Sequence, residues 1–497
     1  MNSNILTQSS DMKKEYCATV VRIGAVQPIE GSDFLGVTLV NGIEVVVRKD
    51  SVKEGQIMFF APMETALNER FLSVNNQFEL GEYERNSNAK EVKALLDADK
   101  KDEAKSMVGF FNKRGRVRAL KLRGIYSKGF LISQEMMQKY CPEIADLNLE
   151  EFVDTDFDTV NNDLFIKVYI PFIPQKKERK NRYNKALPKY DRMIEGQFSF
   201  HYDTDSLARE IGHIQPDDVV TLSVKLHGTS IIMGNIKVRM PVKVETRIEW
   251  WNNLVNGLYS AVWDYLPKFM HRYHEMYDVV YSSRTVIKNQ YINIHKSPDF
   301  YDSDIWGEYH DLFVDKIPQD MIIYGEIVGY LTGSDKMIQK DYDYRCEMGT
   351  NKLMIYRITT RNSDGTHREW EIAEVRRFTD RLLEQYPELK DRIHPIDILY
   401  HGTLADMYPE VAVNEFWHEN VLHAMKNDKQ TLGMELPEPL CKNKVPREGI
   451  VLRKDQDRIA EAWKLKTDAF FSREQKLIDA GEVDIEMGTA VSDENFS

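Results

Sequence analysis

The sequence predicts an α+β chain: a small N-terminal β-barrel, then a larger domain of antiparallel sheets with flanking helices. Three observations support this. Short β-branched and aromatic runs punctuated by Gly, Asp and Asn recur along residues 1–155. A polar, proline-bearing basic stretch follows over 156–190, with Pro171, Pro174 and Pro188, and reads as a linker. From 191 to 478, β-rich segments alternate with amphipathic helical ones.

At 497 residues the chain has material for two or three domains with sizeable cores. Hydrophobic content of 42% and charged content of 29% are those of an ordinary globular protein. No apolar run approaches the roughly 20 residues needed to cross a bilayer, so no membrane partner is expected. The polar start from Met1 to Tyr16 has no signal-peptide core. Cys17, Cys141, Cys346 and Cys441 lack metal or CxxC spacing, which suggests reduced structural thiols in a cytoplasmic protein.

In the first domain, strands are expected at Tyr16–Ile23, Phe34–Val40, Ile43–Arg48, Gln56–Ala61, Arg116–Leu122 and Gly129–Ser133. Between Glu64 and Gly109 the pattern turns polar and helix-prone, and Val92–Lys105 reads as a surface insertion. That number of short strands suits a barrel of the OB type. The run Lys121-Leu122-Arg123-Gly124-Ile125-Tyr126-Ser127-Lys128-Gly129-Phe130 is similar to a strand-turn-strand signature of nucleic-acid-binding OB domains.

The formal net charge of −13 does not exclude a nucleic-acid partner, because phosphate binding needs only a local basic patch. Two patches stand out, at Lys113–Arg123 and Lys176–Arg192. A charge run is more often a solvated face, so neither decides the matter alone. The tail over 479–497 has no lysine or arginine.

In the second domain, Trp251, Leu254, Val255, Leu258, Val262, Tyr265, Leu266 and Phe269 fall at helical spacing. This stripe reads as a packing face. A second amphipathic helix is expected over Ile372–Tyr386.

Chemistry enters at Lys225-Leu226-His227-Gly228-Thr229-Ser230, directly after the β-like stretch Val219–Val224. A lysine held on a strand end, with a glycine that lets backbone approach a ligand, is a candidate covalent nucleophile. Alone the run is a weak signal. Downstream, in order, come Tyr324-Gly325-Glu326, Arg447-Glu448-Gly449-Ile450-Val451-Leu452-Arg453 and Trp463-Lys464-Leu465-Lys466.

Attack on the α-phosphate of a nucleoside triphosphate needs fixed cations around the phosphoryl oxygens. It also needs a lysine relieved of its usual pKa of about 10.4. Neighbouring cations disfavour the ammonium. Lys464 and Lys466, two apart on a strand, point to one side and are placed to clamp the phosphate and act on Lys225. Glu448 and Glu326 are candidate ligands for Mg2+ (or Mn2+).

Together these pieces resemble the covalent nucleotidyltransferase superfamily of ATP-dependent ligases and mRNA-capping guanylyltransferases. The resemblance makes Lys225, with His227 and Gly228, the nucleophile motif. It places Arg284, in Ser283-Arg284-Thr285, near the ribose, Glu326 in the third motif, and Tyr356, within Leu353–Ile358, as a base-stacking aromatic. Glu448, Lys464 and Lys466 fall in the last two motifs. Arg239, on the strand after the nucleophile, is a further candidate phosphate contact, with a surface arginine the equal alternative.

His227 stands where the superfamily usually carries Asp, which resembles RNA ligases. A neutral imidazole is a poor Mg2+ ligand, so this position is expected to act through water or hydrogen bonds. Only about 30 residues follow Lys466, and the OB-like domain precedes the nucleotidyltransferase domain. That order resembles nick-sealing RNA ligases with an N-terminal OB domain, whose approach to the nucleotide pocket Phe198-Ser199-Phe200-His201 also fits.

The resemblance implies lysyl-AMP formation from ATP, transfer of AMP to a 5′-phosphate end, and joining to a 3′-hydroxyl. The implied partner is nicked or duplex RNA, or an RNA/DNA hybrid, in RNA repair. The alternatives are a capping-type guanylyltransferase and a non-catalytic RNA-binding module.

Overall fold

A computed structural model describes residues 5–10, 12–170, 191–202, 204–241, 273–291, 304–413, 417–456 and 459–479. The stripe from Trp251 to Phe269, most of the Lys176–Arg192 patch and the tail from 480 lie outside the described residues. The chain divides into two units. Of the described residues, those within 5–170, 205–213 and 471–479 form the first, and those within 191–204 and 214–470 form the second. The architecture is α+β, with antiparallel and mixed sheets.

In the first unit, β1 (Ala18–Arg22), β2 (Leu35–Val40), β3 (Ile43–Arg48) and β4 (Ile57–Pro62) form close to where the apolar runs place them. β5 (Leu120–Leu122), β6 (Ile125–Ser127) and β7 (Gly129–Ile132) follow. One sheet runs β7-β4-β1, then Asp156–Phe157. Val20, Phe59 and Ala61 enter one hydrophobic cluster while Val21, Met58 and Phe60 enter another. Burial on both faces explains why these strands read as continuous apolar runs.

The β2–β3 and β5–β6 hairpins turn at Asn41-Gly42 and Arg123-Gly124, all four residues at positive φ. Paired positive φ values match the right-handed strand twist in a two-residue hairpin.

Two expectations are corrected here. The polar stretch over 64–109 is not only a surface insertion. Its helix Glu69–Val74, capped by the Asn68 side chain, delivers Phe71 and Leu72 to the core, where Phe78 joins them. Within Val92–Lys105 the chain breaks into helices Ala89–Asp97 and Lys101–Ser106, with Asp99 at positive φ.

The basic run 113–123 is likewise not all available to phosphate. Arg116 is only 2% exposed, with its guanidinium 4.6 Å from the centroid of the Tyr169 ring. It bridges to Ala66 instead of extending a strand. The four cysteines are free and buried. Burial pushes the Cys17 and Cys441 thiols up to about 12, consistent with inert structural thiols.

The second unit is built on two sheets. The first contains β8 (Val219–Lys225), β13 (Ile398–Thr403), β14 (Gly449–Gln456) and β15 (Ile459–Lys466), in the order β15-β14-β8-β13. The second contains β9 (Thr229–Pro241), β10 (Tyr273–Ser282), β11 (Met321–Gly329) and β12 (Asn351–Arg361), in the order β10-β9-β11-β12. Helices Ile305–Phe313 and Ile372–Gln385 bury Trp306, Tyr309, Val375 and Leu382 in the same cluster as Val224, Ile231 and Ile323. The second helix starts with a capping box between Glu371 and Glu374. The link Leu226–Gly228 carries the chain from one sheet into the other.

Candidate functional site

Register builds the site. Lys225, the last residue of β8, stands opposite Gly449 on β14, and Gly449 stands opposite Lys466 on β15. Residues directly across antiparallel strands share a face. Lys225 and Lys466 therefore flank a position with no side chain and can meet above it. Ser223, Val451 and Lys464 form the next row on that face. The period of two that put Lys464 and Lys466 together in the sequence is realised. Buried Trp463 and Leu465 alternate with them.

Glu448, one residue before that row, joins the two lysines. Its Oε1 lies 2.8 Å from Lys225 Nζ and 3.5 Å from Lys466 Nζ. The Glu448 side chain is 4% exposed, against 24% for Lys225 and 19% for Lys466. Burial alone would raise its pKa. Lys225, Lys466 and His227 outweigh that and hold it down to about 2, so it is a carboxylate throughout the neutral range. The backbone on either side is pinned: Thr467 N donates to Glu448 O at 2.9 Å and Thr467 Oγ1 to Arg447 O at 2.6 Å.

Arg447 is itself locked, with its Nε 3.2 Å from buried Glu438 and its Nη1 donating to Leu432 O at 2.5 Å. Replacing Arg447 with Met leaves the Glu438 carboxylate buried without its cation. The expected cost is about 3–5 kcal/mol, read as a lower urea midpoint at unchanged slope. A loss below about 1 kcal/mol would contradict the buried-pair reading.

The turn after the nucleophile packs against β11. Gly228 N donates to Glu326 Oε1 at 3.0 Å. A methyl group at Gly228 would collide with Ile327 O and come within 2.9 Å of Glu326 Cγ. Only glycine lets the backbone come this close. In the sheet, Glu326 stands opposite Ser230 on one side and Met354 on the other.

His227 donates its backbone N–H to Tyr344 Oη at 2.7 Å. Its ring meets those of Tyr342 and Phe470 edge-on, each at 5.0 Å and nearly perpendicular, with the two aromatic rings 6.4 Å from each other. Gln339 Nε2 donates to Gly228 O at 2.8 Å. Gln339, Tyr342 and Tyr344 were not legible in the sequence, since the segment between β11 and β12 has no periodicity and carries none of the expected motifs.

The remaining candidates divide. Arg284 lies in the Ser283–Val286 turn after β10, and Ser282 stands opposite Ile232. That places it at the sheet end where β9 leaves Gly228. Tyr356 is the extra residue of a bulge, where pairing shifts from Tyr324↔Arg357 to Gly325↔Ile355. Bulges re-aim side chains, and the Tyr356 ring centroid lies 5.2 Å from that of His201. Arg357 donates to His201 Nδ1 at 3.2 Å and holds Glu369 with two bonds.

Arg239 is not brought to the nucleophile. It lies ten positions beyond Thr229 on β9, about 33 Å of strand, with its guanidinium 5.3 Å from the centroid of the Tyr273 ring.

Among the described residues no group of three or more His, Cys, Asp or Glu side chains gathers as a metal site. A divalent ion that arrives on a triphosphate needs only one or two protein carboxylates besides phosphate and water. Glu448 fits that demand: it is ionised, and its Oε2 is buried without a hydrogen-bond partner. Glu326 is the second carboxylate of the same region, though its Oε1 is shared with Gly228. The His227 ring makes its aromatic contacts with Tyr342 and Phe470.

No family model and no curated protein matches the sequence. Solved structures do align with it. A lysine-to-alanine mutant of Naegleria gruberi RNA ligase with ATP and Mn aligns at TM-score 0.49 and 15% identity, over 92% of this chain and 99% of that one. The same organism's RNA ligase with PPi aligns at TM-score 0.48 and 14% identity, over 94% of this chain and all of the other.

Proposed function

We propose that the chain is an ATP-dependent RNA ligase that works through a lysyl-AMP intermediate on Lys225. The observation that supports this most directly is the Lys225–Glu448–Lys466 cluster. A lysine on a strand end and a second lysine two strands away converge on one buried carboxylate.

In the first step the Lys225 ammonium gives up a proton to solvent, its Nζ attacks the α-phosphorus of ATP, and a second proton passes to solvent as the phosphoramidate forms. The N–P bond forms, the bond to the β-bridging oxygen breaks, and pyrophosphate leaves with the electron pair. Lys464 and Lys466 lie on the same face to neutralise the charge that builds on the phosphoryl oxygens. Glu448 and Glu326 would hold a Mg2+ or Mn2+ ion, which supplies charge neutralisation on the triphosphate.

An oxygen of an RNA 5′-phosphate then attacks the same phosphorus and releases Lys225. Finally a 3′-hydroxyl attacks the activated 5′-phosphate and AMP departs. Arg284 and Tyr356 are proposed to contact the ribose and the base. The first unit is proposed as an OB-type module that holds the duplex around a nick through phosphate contacts. Its exposed Lys113, Arg114, Lys121 and Arg123 suit that role, and buried Arg116 does not.

The test is sealing of nicked duplexes carrying RNA or DNA on each side of the nick, with ATP or GTP. The expected result is ATP-dependent joining of an RNA 3′-hydroxyl to a 5′-phosphate. Preferential use of GTP, or an adduct with no joined product on any RNA substrate, would overturn the ligase reading.

A further inference from the structure

We propose that the segment between β11 and β12, residues 330–350, is the positioning device of the nucleophile, with Gln339, Tyr342 and Tyr344 as its working side chains. It rests on the reading of Lys225 as the AMP acceptor. Each of the three reaches a different atom of the turn that follows Lys225, or of the approach to Glu448.

Tyr344 Oη accepts the His227 N–H at 2.7 Å and Gln339 Nε2 donates to Gly228 O at 2.8 Å. The Tyr342 ring packs against the His227 ring, and its Oη donates to Pro446 O at 2.8 Å, two residues before Glu448. A second anchor sits beside these. The Asp343 carboxylate accepts from Lys442 N at 2.9 Å, from Asn443 N at 3.3 Å and from Arg345 N at 2.7 Å. Asn443 Nδ2 returns a bond to Asp341 O at 2.9 Å, and Arg345 Nη2 donates to Pro439 O at 2.9 Å.

The segment therefore grips both the 227–228 turn and the 439–446 approach to β14. Lys225 and Glu448 sit at the ends of separate strands, and their 2.8 Å pairing depends on how the chains entering and leaving those strands are held. The bonds made by Gln339 and Tyr342 are buried or half-buried and span more than a hundred residues of sequence. Tyr344 is buried, and burial drives its phenol well above the ordinary range, so it stays a neutral partner for the His227 amide. The device acts on where Lys225 stands, not on the phosphorus itself.

The experiment uses the full chain with Tyr344→Phe, Gln339→Met and Tyr342→Phe, each of which removes a hydrogen-bonding group and keeps the volume. Two single-turnover rates are measured: formation of the enzyme–AMP adduct from labelled ATP, and joining of a nicked duplex whose 5′-phosphate is already adenylylated. The second reaction bypasses the attack by Lys225.

A positioning role predicts adduct formation slowed by about 10- to 100-fold, ATP concentration dependence little changed, and joining of the adenylylated duplex within about twofold. Equal loss in both reactions would mean the segment only supports the fold, and wild-type rates in both would mean it positions nothing. Either result overturns the proposal. Absence of any adduct in the unsubstituted protein would instead overturn the reading of Lys225.

Discussion

Replacing Glu448 with Gln lowers the rate of enzyme–nucleotide adduct formation by about 100-fold or more, the scale seen when one preorganised charged or polar group is removed from an active site. Two effects oppose each other. Loss of the carboxylate makes the Lys225 ammonium easier to deprotonate, which favours attack. It also removes the group that gathers Lys225 and Lys466 on one oxygen and the buried Oε2 offered to a divalent ion.

Positioning is the larger effect, because a displacement of a reacting group by about 1 Å costs about 100-fold and the Glu448 carboxylate is the group on which Lys225 and Lys466 converge. A rate equal to or above that of the unsubstituted protein would show that the ion pair merely restrains the ammonium.

The same substitution carries a signature in pH. The Glu448 carboxyl is held down to about 2 in the folded chain, below the ordinary value of about 4.3. Its contribution to stability is therefore present above the ordinary value and is lost as pH falls towards the depressed one. The stability gap between the unsubstituted protein and Glu448→Gln should be constant above about pH 5 and narrow towards pH 2. Denaturation midpoints across that window check it, and a gap that widened on acidification would contradict the assigned sign.

Gly449→Ala is the second large effect. A methyl group there would collide with Leu465 O and sit 2.7 Å from Lys466 Cα. Both are backbone atoms of β15, so relief requires the two strands to part at the row that holds Lys225 and Lys466. A destabilisation of about 3–5 kcal/mol is expected, on the scale reserved for steric insertions that nothing can absorb. Adduct formation should fall with it. Gly212→Ala, where nothing lies within 4 Å of the added carbon, is the control, expected to change stability by less than about 1 kcal/mol. Equal melting temperatures for the two variants would show that β14 and β15 are not packed as described.

How much of this was legible in the sequence depended on distance along the chain. The shared side of Lys464 and Lys466 follows from the two-residue repeat of one strand, and the structure keeps it. Helix Ile372–Gln385 was marked by its apolar period and ends one residue from where that period places it. Arg239 shows the limit of such reasoning: it is on the right strand, but an extended chain carries it away from Lys225.

Phe71, Leu72 and Phe78 reach the core from a stretch whose polar neighbours hid them. Arg116 looked like part of a basic surface because charge patterning does not report burial. Gln339, Tyr342 and Tyr344 were illegible for another reason. Their long-range bonds and ring contacts are made from irregular chain, and no period or local spacing encodes such a contact.

Whether Lys225 accepts AMP is tested directly by one measurement. The purified chain is incubated with ATP labelled at the α-phosphate and a divalent ion, and the adduct is quantified and mapped by peptide mass. The expected result is a covalent adduct of one AMP per chain on the peptide that contains Lys225, and none with Lys225→Ala. An adduct of undiminished yield in Lys225→Ala, or one mapped to another lysine, would contradict it.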